Sequence, residues 1–428
     1  MSTLEKSGLT LVIDEAAQNA MMDALVEKCL PQQAKKVLLI PPDHTRLYSG
    51  TGRMTAYLYS ILKDRVQVDV LPALGTHVPM DDEEIHLMFG DSIPKDRFIA
   101  HLWRDDLKIL GEVSADTIRD LSEGRVDFAM QVAINKHVMN GGYDLILSLG
   151  QVVPHEVIGM ANYTKNILIG VGGGDSIHKS HYLGAAYGME RIMGRIDTPV
   201  RKVLNLGFDK YISHLPIVFV LTVMQKVGHQ VVMRGLYCGK DEGTFRSAAK
   251  LAQQVNLDLL PSPIAKAVVY LDPREFKTTW LGNKAVYRLR MAMADRGELI
   301  ILAPALKGFG EDKAIDGLIR KYGYKGTQAT LKAVGDNADL QKNLSAAAHL
   351  IHGSSDGRFK ITYCPGVGIT QAEIEGVGYS YAPYLTMAER YQPESLKDGW
   401  NDVAGERIFY VSNPALGLWA LKHQFEDR

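Results

Sequence analysis

Three histidines of this chain stand in loops marked by glycine or proline rather than on apolar faces. His77 closes Leu74-Gly75-Thr76, His155 follows Pro154, and His181 comes after the glycine cluster 170–174. An imidazole with its ordinary pKa of about 6.5 takes and gives a proton near neutrality, and its neutral ring is a good metal ligand. Acid–base catalysis and a zinc hydrolase are both open on that basis. Lys165 lies ten residues after His155, just ahead of an apolar run. It reads either as a snorkelling surface lysine or as an interior amine whose lowered pKa suits a covalent bond to a cofactor. The glycine cluster, GVGGGD, fits neither the P-loop nor the dinucleotide fingerprint, so a sharp turn or a close backbone approach accounts for it. His178 reads as a helix-face histidine.

Elements that would position these groups precede each of them. A strand over 145–149 should deliver the stretch 154–181 beyond its carboxyl end, where α/β proteins keep their chemistry. An earlier strand, 36–40, runs into Pro41-Pro42 and then Asp43-His44-Thr45-Arg46. Met54, Tyr57, Leu58, Ile61 and Leu62 recur at helical spacing, so a helix follows whose N-terminal amides and dipole favour an anion, with Arg46 and Arg53 to complete the seat. A strand over 66–71 leads to the His77 loop, and Asp81 to Glu84 open the next helix. Three strand–loop–helix units aiming polar residues at one edge predict an α/β, doubly wound architecture.

Further along, strands are expected over 215–224 and 229–237 and a helix over 241–255. Pro261 and Pro263 mark a linker, which sets a first domain over 1–262 and a second, smaller doubly wound domain over 263–411. The second carries strands over 266–270, 298–303, 359–364 and 407–411, with helices over 280–295 and 312–322. A tail helix, 412–428, is expected to pack back onto the first domain. Trp280 and Lys284 fall one turn apart on one helix face, where a second lobe would meet a ligand in a cleft between the two.

Composition narrows the partners. With 48 basic against 49 acidic residues in 428, the net charge of −1 gives no field to draw the chain onto nucleic acid or an anionic membrane. A small-molecule ligand is favoured. The opening residues lack the apolar core of a secretory signal and no run is long enough to span a bilayer, so a cytoplasmic location is expected. Cys29, Cys238 and Cys364 have no metal-binding or disulfide spacing.

Taken in order, Asp43 to Arg46 (DHTR), LGTH ending at His77, PH at His155 with Lys165 after it, His181 beyond the glycines, and Trp280 to Lys284 resemble the nickel-dependent lactate racemase family over nearly the whole chain. The resemblance implies two α/β lobes holding a nickel-pincer nucleotide, a pyridinium mononucleotide that binds Ni through sulfur and carbon. It makes Lys165 the covalent anchor and His181 the nickel ligand, and it gives the cofactor's phosphate end to Asp43, Thr45 and Arg46. Trp280 would also line the cofactor. His77 and His155 become the acid–base pair, and Arg46 and Lys284 meet a substrate carboxylate. The implied reaction inverts C2 of a 2-hydroxy acid by proton-coupled hydride transfer through a 2-keto acid, with cofactor-biosynthesis proteins as partners.

Departures from the lactate pattern bear on the substrate. Trp280-Leu281 stands where the lactate enzymes carry tyrosine then glutamine, no tryptophan occurs near Asp339, and EVIGMANYTK replaces a phenylalanine- and glycine-rich loop. A substrate larger than lactate is expected, a sugar acid such as gluconate among the options. The alternatives are a zinc-dependent hydrolase using the same histidines and a non-catalytic two-lobe binding protein.

Overall fold

The computed structural model describes residues 3–227 and 230–426. It is a mixed α/β chain that divides into two compact units, Met1–Leu183 with Arg191–Asn256, and Gly184–Glu190 with Leu257–Arg428.

In the first unit six strands form one sheet in the order Leu4–Ser7, Gln230–Gly239, Ile217–Val227, Leu145–Gln151, Lys36–Ile40, Gln67–Val70. The last four in that order are mutually parallel, and the first two close one edge antiparallel. Val37, Leu38, Leu39 and Ile40 are all buried, as are Leu145 to Gly150. Burial on both faces explains why these strands read as unbroken apolar runs instead of alternating. From Lys36–Ile40 the chain winds first to Gln67–Val70 on one side and later to Leu145–Gln151 on the other. The crevice beyond the carboxyl ends of these central strands is therefore the topological switch point.

Helix Glu15–Cys29 starts on Asp14, whose side chain accepts from the Ala17 amide, and helix Asp82–Phe89 starts on an Asp81–Glu84 capping box. Both ends are set by residues visible in the sequence. Thr51–Leu62, Glu242–Asn256 and Lys313–Tyr322 also form where helical spacing predicts them. The strand expected over 229–237 is found as Gln230–Gly239, and His229 lies outside the described residues.

The second unit carries a six-stranded sheet in the order Ser380–Tyr381, Lys360–Pro365, Met293–Ala303, Ile264–Tyr270, Glu406–Val411, Gly399–Val403, parallel except for its last strand. Its switch point lies beyond Ile264–Tyr270, and that strand leads to the segment bearing Trp280 and Lys284. Two expectations are corrected. The helix expected over 280–295 consists of Thr279–Gly282 and Lys284–Leu289 only, and from Met293 the chain is already a strand. The tail is not a helix: Trp419–Leu421 pairs parallel with Asp258–Leu260, followed by the short helix His423–Glu426, all within the second unit. Strand pairing wins over the helical spacing because Leu418, Trp419 and Ala420 are buried by it. Among the described residues no helix is long and apolar enough to cross a membrane.

At the first unit's switch point the buried Asn166 side chain donates to the Ile40 carbonyl at 3.2 Å and to Ser148 Oγ at 2.9 Å. It ties together the two central strands. Asn166→Ala leaves the Ile40 and Ser148 acceptors in want of a donor and should cost about 1–3 kcal/mol of stability, read as a lowered urea midpoint with unchanged slope.

Candidate active site

Asp43, His77 and His155 follow the carboxyl ends of strands Lys36–Ile40, Gln67–Val70 and Leu145–Gln151. Asp43 caps a 3-10 turn, His44–Ser49, and its buried carboxylate accepts from the Thr45 amide and hydroxyl and from His77 Nδ1 at 2.5 Å. Burial raises the Asp43 carboxyl, and the bonds from His77 and Thr45 outweigh it, so the group sits below its ordinary range and stays ionised. A carboxylate on Nδ1 fixes the hydrogen there, which leaves the lone pair on Nε2. The His77 ring is 54% exposed, so that nitrogen is open to a ligand.

His155 is set the opposite way. Its Nδ1 accepts from the Val157 amide at 3.1 Å, so the hydrogen of the neutral ring is on Nε2. Burial pushes its pKa well down, opposed by Glu156 and helped by the neighbouring Lys165, His181 and Arg46. One histidine of the pair thus presents a lone pair and the other a hydrogen.

Lys165 follows two consecutive non-glycine residues in the left-handed region, Asn162 (φ 71°) and Tyr163 (φ 61°). It leads into a π-helical turn, Asn166–Gly170, a distortion found often at functional sites. Burial, reinforced by Arg46, lowers the amine to about 8. By exposed area Lys165 is half-buried. His181 lies on helix Gly174–Tyr187, where its Nδ1 donates to the Ile177 carbonyl one turn back at 2.6 Å. Only Nε2 is left with a lone pair, and burial lowers the ring to about 4, so it is neutral and ready to ligate.

The glycines between anchor and ligand are there for space. A Cβ at Gly172 would stand 1.8 Å from the Leu168 carbonyl, one at Gly170 2.8 Å from the Ala73 Cβ, and one at Gly174 2.7 Å from the Trp103 ring. The Gly75 amide donates to the Gly170 carbonyl, which docks the His77 loop on this turn. His101, buried and absent from the sequence reading, donates from Nε2 to the Gly172 carbonyl and accepts on Nδ1 from Asn135. Glu156 was equally missed. Its position beside His155 was the available signal, and its charge acts on His155, Lys165 and His181 together.

Asp43, Arg46, His155, Lys165 and His181 thus lie within reach of one another's charges, with His77 and Thr45 bonded to Asp43. The anion seat at helix Thr51–Leu62 is corrected: Thr51 and Gly52 are buried and the Thr51 amide donates to Ser49 Oγ, so the open cation of this loop is Arg46. Among the described residues no three His, Cys, Asp or Glu side chains form a metal-holding set. Lys165 offers an amine and His181 a single fixed nitrogen to a cofactor or metal.

Trp280 and Lys284 belong to the second unit. The Trp280 ring lies 4.4 Å from that of His349, and Lys284 Nζ is 3.6 Å from Glu275. Behind them Thr279, Tyr324 and His349 are hydrogen-bonded in series, and Tyr363 donates to Asn283. Burial drives His349 to about 3, so it is a neutral structural ring.

Residues 5–191 match the family profile of the lactate racemase N-terminal domain. No curated protein sequence matches. Among solved structures, a protein from Thermotoga maritima superposes with a TM-score of 0.80 at 24% identity, covering 97% of this chain and 100% of its own. The lactate racemase apoprotein from Thermoanaerobacterium thermosaccharolyticum superposes with 0.69 at 15% identity, covering 94% and 92%. At these identities the likeness to the two structures is one of fold.

Folded imidazoles at 101, 155 and 181 resist the protons that unfolded ones accept near about pH 6.5. The stability they contribute is full above that pH and is lost as pH falls, for His181 down to about 4. Urea midpoints should fall steadily between about pH 7 and pH 4.5, whereas a flat profile would contradict buried neutral rings.

Proposed function

The chain belongs to the lactate racemase-like family through its N-terminal domain, and on that premise we propose that it is a racemase or epimerase acting at C2 of a 2-hydroxy acid. The observation that carries this reading is the opposite hydrogen placement of His77 and His155, the second of them within the field of a Lys165 amine lowered to about 8. The two-unit division, first unit for the cofactor and second for the substrate, is proposed with it.

A nickel-pincer nucleotide anchored on Lys165 and ligated by His181 would supply a reversible hydride acceptor. The chain's own residues handle charge and protons. Arg46 is proposed to bind the carboxylate through charge-assisted bonds, and the same role for Lys284, like the cofactor role of Trp280, rests on the family resemblance. His77 Nε2 would take the hydroxyl proton of one enantiomer, with Asp43 balancing the imidazolium that results. His155 would hydrogen-bond the oxygen of the 2-keto acid through Nε2–H and, once protonated on Nδ1 at the expense of its bond from Val157, would give it the Nε2 proton. The transfer leaves the hydrogen on Nδ1 and a lone pair on Nε2, the form in which His155 would act as base on the opposite enantiomer. Each histidine serves as base in one direction because the hydroxyl points to a different side in each enantiomer.

The Trp280-Leu281 pair and the altered loop after His155 support a substrate larger than lactate, with sugar acids such as gluconate the proposed class. The decisive experiment is a screen of hydroxy acids for C2 inversion by protein produced together with the cofactor's biosynthetic proteins. Inversion of at least one acid, with nickel and added mass at Lys165, is expected. Nickel-free, unmodified protein that binds a hydroxy acid without turnover would favour a non-catalytic binding protein. In active protein, His77→Ala and His155→Ala should each slow inversion by about 10²–10⁴-fold while the mass at Lys165 persists, and near-normal turnover in both would remove the acid–base assignment.

A further inference from the structure

Arg201 is 1% exposed, on helix Pro199–Tyr211, and has no part in the proton or carboxylate chemistry proposed above. A guanidinium buried so completely ordinarily faces a carboxylate. Here its acceptors are instead the carbonyls of Met160 (2.7 Å) and Asn162 (3.0 Å) and the hydroxyl of Thr164 (2.9 Å). Its Nε finds no acceptor among the described residues, and its flat face lies 4.3 Å over the Phe245 ring. Burial alone pulls it down to about 9. So costly a placement calls for a task that a neutral side chain could not perform.

The three acceptors bracket the two left-handed residues, Asn162 and Tyr163, that lie one residue ahead of Lys165. Side chains with a Cβ rarely hold that conformation, and two in a row persist only where neighbours over-determine them. Thr198, Arg201, Asn205 and Phe208 recur at spacings of three and four, one stripe running from the helix cap; the last three engage this turn and Thr198 holds the chain just before it. Thr198 Oγ donates to the Ile158 carbonyl, Thr164 Oγ donates to Asn205 Oδ1, and Phe208 meets the Tyr163 ring.

We propose that Arg201 is a positioning residue for Lys165, its guanidinium holding the turn 160–164 in the doubly left-handed shape that delivers the amine into the site. The backbone part of this inference stands on geometry, and its consequence for cofactor attachment rests on the function proposed above. A planar fork is the suitable group, since three acceptors around a turn must be reached from one direction at fixed angles.

The test compares hydrogen exchange, thermal midpoint and added mass at Lys165 in full-length protein produced with the cofactor-biosynthesis proteins. Arg201→Lys, which keeps the charge and loses the fork, should speed amide exchange across 162–165 by tenfold or more, leave strand Lys36–Ile40 unchanged, and lower the modified fraction at Lys165 several-fold. Asn205→Ala, a milder change, should act in the same direction. Asn162→Gly added to Arg201→Lys should restore at least half of the modified fraction, because glycine adopts the left-handed shape without a clamp. Exchange that rises equally throughout the unit, or that does not change, would overturn the proposal, as would failure of the glycine to rescue. If Arg201→Lys does not fold, the same criteria apply to Asn205→Ala. Absence of added mass in the unaltered protein would count against the cofactor reading alone, and local exchange would then decide the clamp.

Discussion

The Asn166 amide spans the gap between two parallel strands at the point where the sheet's winding changes direction. A switch point leaves a crevice because no crossover helix covers it, and such crevices usually receive a ligand. Here the protein's own side chain fills the bottom of the crevice and the preceding residue, Lys165, rises above it. The position of the amine is thus fixed by the two most buried strands of the unit. His155 and the Asp43 carboxylate leave those same strands, so three functional groups share one rigid origin.

Burial then acts on this group as a whole. It lowers Lys165, His155 and His181 together, each by disfavouring its charged form, while Asp43 keeps its charge because His77 and Thr45 bond to it. The result is a site whose His155 and His181 rings are uncharged at neutral pH and whose Lys165 amine is more readily deprotonated than an ordinary lysine, beside the carboxylates of Asp43 and Glu156 and one exposed guanidinium, Arg46. Neutral nitrogens are what a metal, an electrophilic cofactor carbon or a hydroxyl proton each requires. A hydrogen bond to one ring nitrogen of each histidine, from or to Asp43, Val157 and Ile177, decides which face of the imidazole is available.

Much of this was legible in the chain because loops advertise themselves. Pro41-Pro42, Gly75 and Pro154 end apolar runs and are followed at once by Asp43, His77 and His155. The pattern shows which residues leave the sheet, not which groups behind them hold the site. Arg201 lies 36 residues beyond Lys165 on an ordinary amphipathic helix, and His101 follows an unremarkable segment; only tertiary packing joins either to the site. The apolar run Met291-Ala292-Met293 prolonged the helical pattern into what is a buried strand, and the tail's spacing suited a helix although a vacant edge beside Asp258–Leu260 claimed it. The helices between Thr327 and His352 are short and small-residue-rich, which left little periodicity to read.

From Lys165 to His181 the backbone passes through a π turn, a crowded glycine bend and two turns of α-helix. Each residue added to an α-helix rotates all that follows by about 100°, and the π turn already sets one such phase. The separation of anchor and ligand is therefore quantised, so that a one-residue insertion or deletion would swing His181 away from any group anchored on Lys165. Change can enter this stretch as altered residue type and hardly at all as altered length. Variation in length has to be accommodated elsewhere.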